Sequence, residues 1–194
     1  MKNSKVKMFN KKASDPRNKP DQILEALELR QEQNIADIGA GGGYFSLRFA
    51  DVVGRGGKVY AIDTNPEFLE FIRKSAAEKG LNNVKTILAT EDKLILPQKS
   101  LDLIFMRNVY HHLPNRVEYF KNLTGILKPR GKIVIIEYKR GGLFSFHRIF
   151  RHYVPRETIV KEMDEAGYQL KENFDFLPEQ SFTVFFLKKV QRRS

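Results

Sequence analysis

Ile35-Ala36-Asp37-Ile38-Gly39-Ala40-Gly41-Gly42-Gly43 is the stretch that decides the fold of this chain. A short strand, Asn34 to Ile38, feeds directly into small residues. Glycines let the backbone turn sharply out of a strand and let a ligand approach with no Cβ in the way. Tyr44 to Val53 then reads as a helix through apolar Phe45, Leu47, Phe49 and Val52, so the N-terminus of that helix points at whatever the loop holds. Asp63, 20 residues beyond Gly43, ends the next strand, Lys58 to Ile62. A carboxylate at that spacing suits two ribose hydroxyls.

The glycine spacing separates two kinds of nucleotide ligand. A dinucleotide fingerprint, G-x-G-x-x-G, would follow Gly39 and Gly41 with a glycine at position 44, where this chain has Tyr44. The pattern present is G-x-G-x-G, made by Gly39, Gly41 and Gly43, and it disfavours a nicotinamide-dependent reductase. Asp37, two residues before the first glycine, would repel a pyrophosphate and welcome a cationic, methionine-like group.

Outward from the loop, strands and helices alternate. Pro20 to Leu29 reads as a helix with Ile23, Leu24, Leu27 and Leu29 as its stripe, and Gly54-Arg55-Gly56-Gly57 as a turn. Pro66 to Lys79 is a helix opened by proline and stopped by Gly80. Val84 to Leu88 and Leu101 to Met106 are strands, the second apolar enough for burial on both faces of a parallel sheet. Arg116 to Leu127 is a helix closed by a Lys128-Pro129-Arg130-Gly131 turn, and Lys132 to Ile136 is the fifth strand. Glu157 to Ala166 is a helix, and Tyr168 to Phe174 with Phe182 to Leu187 form a final antiparallel pair. Five β-α units and a hairpin predict an α/β fold: a seven-stranded, mostly parallel sheet with helices on both faces. Ligands of such sheets bind at the carboxyl ends of the strands, where strand order reverses.

From about Pro20 to Lys188 this pattern resembles the class I S-adenosylmethionine (SAM)-dependent methyltransferases. The resemblance implies a Rossmann-like sheet of order 3-2-1-4-5-7-6 with the last strand antiparallel. It implies SAM as methyl donor, S-adenosylhomocysteine (SAH) as product, and no metal. It also implies that Asp37, Gly39, Ala40, Gly41 and Gly43 hold the amino-acid part of SAM, that Asp63 with Thr64 holds the ribose, and that Glu91 and Asp92 lie beside the adenine. Arg107-Asn108-Val109-Tyr110-His111-His112-Leu113-Pro114, after the fourth strand, resembles the tract of small-molecule methyltransferases near the quinone C-methyltransferases, and a Tyr-His-His tract in compact methyltransferase-domain proteins. Arg107 and Asn108 are accordingly candidates for donor binding.

His111 and His112 are candidate general bases, since imidazole titrates near neutral pH. Tyr110 is a further catalytic candidate: it and Asn108 could orient substrate or donor, and for both a structural hydrogen bond is the equal alternative. Consecutive histidines are expected to point in different directions, with at most one facing the donor; the competing expectation is that they pack against the next helix. The chain lacks the Asn/Asp-Pro-Pro-Tyr/Phe tract of amino-group methyltransferases. It has no cysteine, which excludes thiolate nucleophiles and thiolate metal sites. Residues 139–153 interleave basic and aromatic side chains, and Phe146, His147 and Arg148 are candidates for recognising the acceptor.

The 194 residues suffice for one domain, expected over 20–190, behind a basic segment 1–19 expected to be flexible. No stretch reads as a signal peptide or membrane span, which predicts the cytoplasm. The net charge of +11 attracts polyanions. The leading expectation is methyl transfer to a small molecule, apolar or anionic. The alternatives are an RNA or protein methyltransferase using the basic surface, with an anionic membrane surface as a further partner, and a non-catalytic SAM-binding protein. The intact loop and Asp63 count against the last.

Overall fold

β1 (Asn34–Ile38) and β2 (Lys58–Asp63) run parallel, from Asn34 opposite Lys58 to Ile38 opposite Ile62. β3 (Val84–Leu88) joins the far side of β2, also parallel, from Val59 opposite Val84 to Asp63 opposite Leu88. Parallel neighbours need a crossover. α3 (Tyr44–Val53) links β1 to β2, and α4 (Pro66–Glu78) links β2 to β3. This is a computed structural model, and it describes residues 4–90, 94, 96–140 and 153–188. The chain divides into two units, one of residues 1–91 and 103–105, the other of 92–102 and 106–194.

α4 shows how local sequence builds the first unit. The Asn65 side chain accepts a hydrogen bond from the Glu67 N–H at 2.9 Å, and Pro66 occupies the first helical position, where no amide proton is needed. Leu69, Ile72 and Ala76 form its buried face, and Gly80 follows the helix with φ 67°. Burying a leucine or isoleucine stabilises by about 1.5–3 kcal/mol. α3 buries Phe45 and Phe49, whose rings each lie 5.1 Å from that of Phe105.

Within the basic amino-terminal segment, expected to be flexible, α1 (Ser4–Ser14) is a helix with Val6 only 1% exposed. The Asn10 side chain donates to the Gly42 carbonyl at 2.8 Å, and Phe9 meets Phe68 edge-on at 5.6 Å. α2 (Pro20–Ala26) ends before the expected Leu29, because the backbone turns left-handed at Glu28 (φ 48°) while Leu27 caps the helix and is fully buried.

In the second unit β5 (Leu127–Tyr138) pairs antiparallel with β7 (Gln180–Leu187), from Lys132 opposite Phe186 to Tyr138 opposite Gln180. β6 (Tyr168–Phe174) pairs antiparallel with β7, with a register shift between Leu170 and Glu172. α5 (Arg116–Leu123) and α6 (Arg156–Glu165) belong to this unit; the Tyr168 hydroxyl of β6 donates to the Phe120 carbonyl of α5 at 2.9 Å. α5 stops four residues short of the expected Leu127, and the expected turn at Lys128–Gly131 is instead the beginning of β5. The turn-like composition has a different cause. A Cβ on Gly131 would stand 2.8 Å from the Leu101 carbonyl, so glycine serves close backbone approach. Pro129 precedes the residues of β5 paired with β7.

With β4 (Leu101–Arg107), the seven strands follow the order β3-β2-β1-β4-β5-β7-β6, as the resemblance implied. Among the described residues no helix is long and apolar enough to cross a membrane.

Candidate functional site

The glycine loop is built by β1 and β2. The Gly39 and Ala40 amides donate to the Ile62 carbonyl at 2.8 and 3.0 Å, and Gly43 N–H closes a turn onto the Ala40 carbonyl at 2.8 Å. Gly41 and Gly43 adopt φ 54° and 80°, which a Cβ would strain. Gly42 is glycine for another reason: a Cβ there would lie 2.2 Å from the Asn10 side chain and 2.8 Å from the Val6 carbonyl. Helix α1 therefore seats directly on the loop.

Two carboxylates serve this loop. Asp63 takes the Gly41 N–H on one oxygen at 2.8 Å and the Asn65 N–H on the other at 2.9 Å. Asp37 is 4% exposed and accepts the Ser46 hydroxyl at 2.5 Å. Burial pushes the Asp37 carboxyl up from its ordinary 3.8 to about 7; the Ser46 hydrogen bond opposes this, and the charge of Asp63 adds to it. A buried carboxylate in this state calls for a cation. Residues 37–46 contain no lysine or arginine. A ligand with an ammonium group would supply the missing charge, and a pyrophosphate would not. Thr64, next to Asp63, is exposed. Glu91 and Asp92 lie outside the described residues.

In the second unit the tract after β4 opens into a single 3₁₀ turn, Tyr110–His112. Asn108 is left-handed (φ 57°) and its amide donates to the Ile136 carbonyl at 2.8 Å. The Arg107 guanidinium donates to the Gln180 side-chain oxygen at 3.1 Å, and the Gln180 amide donates to Asn108. Gln180 thus ties both candidate donor-binding side chains to β7.

Of its two expected roles, Tyr110 has the surroundings of the structural one. It is fully buried and stacks on Phe120 at 5.5 Å, while its hydroxyl donates to Glu162 at 2.6 Å. Arg116 grips Glu162 with two 2.7 Å hydrogen bonds and lies 5.2 Å over the Tyr110 ring. Burial and the facing Glu162 carboxylate push the Tyr110 hydroxyl pKa far above its ordinary range. For Glu162 burial works upward, but the Arg116 and Tyr110 hydrogen bonds outweigh it and hold the carboxyl below its ordinary value. The cluster joins the turn to α5 and α6, so Tyr110 is a packing residue. A surface depression of about 520 Å³ is lined by Asn115 to Glu118 and Glu162; none of the candidate residues lines it.

His111 has the surroundings of a chemical group. Its ring Nδ1 stands 3.0 Å from both carboxylate oxygens of Glu137, the penultimate residue of β5. Its amide donates to the same carboxylate at 3.2 Å, and the Tyr138 amide does so at 2.8 Å. His112 is exposed, and its ring lies 4.0 Å from that of His111. The two rings differ in environment, His111 buried against Glu137 and His112 facing out. Phe146, His147 and Arg148 lie outside the described residues. Among the described residues no cluster of three or more acidic or histidine side chains is placed to hold a metal.

Sequence reasoning missed Asn10, Ser46, Glu137 and Gln180. Ser46 had a signal, a hydroxyl in the first turn of the helix that follows the glycine loop. The other three act across the chain and had none.

Residues 29–182 match a family model described as a methyltransferase domain. The ubiquinone/menaquinone biosynthesis C-methyltransferase UbiE of Proteus mirabilis is 26% identical over 164 residues, covering 81% of this chain and 65% of that protein. The uncharacterized methyltransferase YcgJ of Bacillus subtilis is 26% identical over 140 residues, 72% of this chain and 49% of that one. This chain therefore spans about half to two thirds of the length of these relatives. A SAM-dependent methyltransferase structure from Aquifex aeolicus superposes with a TM-score of 0.86 at 23% identity, over 95% of this chain and 98% of that one. A methyltransferase of Haloferax volcanii, solved in complex with its Trm112 activator, gives 0.77 at 14% identity over the full length of both chains.

Proposed function

This chain belongs to the SAM-dependent methyltransferases, and we propose that it transfers a methyl group from SAM to a small-molecule acceptor. The observation that carries the donor half is the glycine loop flanked by Asp37 and Asp63. The residues fit the ligand: positive-φ glycines allow close approach, and the two carboxylates match an ammonium and a pair of ribose hydroxyls. When bound, SAM supplies an electrophilic methyl group on a sulfonium. In this reading Asp37, Gly39, Ala40, Gly41 and Gly43 hold its amino-acid end, Asp63 and Thr64 hold the ribose, and Arg107 and Asn108 are kept as donor-binding candidates. Glu91 and Asp92 are kept as the adenine neighbours.

On the acceptor side the reading assigns His111 as the group that removes a proton. Positioning and exclusion of water contribute the rest, because a sulfonium is already activated. A small molecule is favoured by similarity to the quinone C-methyltransferases, and Phe146, His147 and Arg148 are the proposed acceptor-recognition residues. The second reading, an RNA or protein acceptor, rests on the net charge of +11.

Incubation with methyl-labelled SAM and a whole-cell extract, followed by counting of lipid, small-molecule, RNA and protein fractions, tests this, with Asp63→Ala as the blank. Label in the lipid or small-molecule fraction is expected. Label confined to RNA or protein would overturn the small-molecule assignment in favour of the second reading.

A further inference from the structure

The fully buried carboxylate of Glu137 is unaccounted for by the donor site. Its side chain is 0% exposed, and among the described residues no lysine or arginine pairs with it. A buried carboxylate without a fixed cation is costly unless its lone pairs are satisfied. Here the satisfaction is specific. The amides of His111 and Tyr138 can only donate, and they reach different oxygens, at 3.2 Å to Oε2 and 2.8 Å to Oε1. Two N–H donors, one on each oxygen, favour a carboxylate that acts only as acceptor. The remaining neighbour, His111 Nδ1, is 3.0 Å from both oxygens, and opposite an ionised acceptor it must carry the proton.

We propose that Glu137 is a positioning residue for His111: it locks the imidazole in the Nδ1–H form, which makes Nε2 the basic nitrogen. The inference rests on the methyl-transfer reading and deepens it by naming the acceptor class. A base fixed in this way serves an acceptor that gives up a proton as it is methylated, such as a phenol, an enol or an activated ring carbon. It is of no use to a thioether or a tertiary amine. In the step itself the acceptor atom forms its bond to the methyl carbon as the sulfur–methyl bond breaks. The electron pair of that bond stays on sulfur, and the proton leaving the acceptor goes to Nε2. The ring then becomes an imidazolium against Glu137, and the buried carboxylate acquires the cation it lacks. Locking the tautomer and stabilising the imidazolium are two effects of one contact.

The test needs no acceptor. All four histidines lie between positions 111 and 152, so ring-¹⁵N histidine labelling gives a sparse spectrum, and His111→Gln identifies the signals of His111. At pH 8 the wild-type ring is expected in the Nδ1–H form by at least about tenfold, the scale set by a hydrogen bond to a charged partner. In Glu137→Gln, whose amide can donate or accept, the ratio should fall to within about threefold of unity. SAH binding is measured calorimetrically on the same samples. It should be present in the wild type and unchanged by Glu137→Gln, which also shows that the variant is folded. A wild-type ring in the Nε2–H form, or a tautomer ratio indifferent to Glu137→Gln, overturns the positioning role. Absence of SAH binding in the wild type sinks the methyl-transfer reading, and the acceptor class falls with it, whatever the tautomer.

Discussion

Replacing Asp37 by asparagine should make the ligand-free protein more stable at alkaline pH while removing its affinity for the donor. In the folded chain the Asp37 carboxyl titrates at about 7, against an ordinary 3.8. Between those values the folded state holds a proton that the unfolded chain has released, so stability falls as pH rises from about 4 through 7 and is flat beyond. The full displacement corresponds to roughly 4 kcal/mol, part of it already incurred by pH 5, which leaves about 2 to 3 kcal/mol between pH 5 and pH 8. Asparagine does not titrate, and its own fixed offset cancels when the same pair is compared at two pH values. For a chain of this size the stability gap between variant and parent should widen by about 5–10 °C in Tm from pH 5 to pH 8. Differential scanning calorimetry of both proteins without ligand reads this directly. A gap of equal size at the two pH values, or one that narrows at pH 8, would refute the claim that Asp37 is held at an energetic cost. Saturating SAH should then raise the parent Tm and leave the variant unmoved.

Gly42→Ala puts a methyl group against the Asn10 side chain and the Val6 carbonyl. It should cost about 1–3 kcal/mol and lower α-helical circular dichroism by the share of α1, while calorimetry shows weaker SAH binding. Arg116→Ala strands Glu162, and urea unfolding should register a loss of about 2–3 kcal/mol; Tyr110→Phe removes one hydrogen bond and should cost about 1 kcal/mol. Because both partners share Glu162, the double variant should fall short of the sum. If Tyr110→Phe instead abolished labelling of acceptor with stability intact, its assignment to packing would be wrong.

Local signals account for what could be read without coordinates. The glycine loop, the helix after it and Asp63 at the end of the next strand are specified by neighbours in sequence, and the parallel βα rhythm follows from strand and helix periods of a few residues. Side-chain partners are a different matter. Glu137 meets His111 across 26 residues, Gln180 meets Asn108 across 72, and Asn10 meets Gly42 across 32. No local pattern encodes such pairs. Gly131 shows how a local signal misleads, since the same residue serves a turn or the close passage of two backbones. Tyr110 shows the companion difficulty: sequence alone leaves a chemical and a structural role open, and the partner of its hydroxyl, Glu162 of α6, lies 52 residues away.

The seating of α1 on the glycine loop has a consequence for how the protein opens. Eleven residues, five of them lysine or asparagine along with two serines, are too few and too polar to hold a helix in water alone. The order of α1 is therefore lent by the surface under it, and detaching it leaves the pairing of β1 and β2 intact. Such an element forms its own small cooperative unit, with an opening free energy well below that of the sheet. Amide protons of residues 4–14 should exchange with deuterium long before those of β1 and β2, and each such excursion bares Gly42 to solvent. The conformer expected at low population keeps the sheet whole and leaves the loop uncovered, and equal exchange rates in α1 and β1 would refute it.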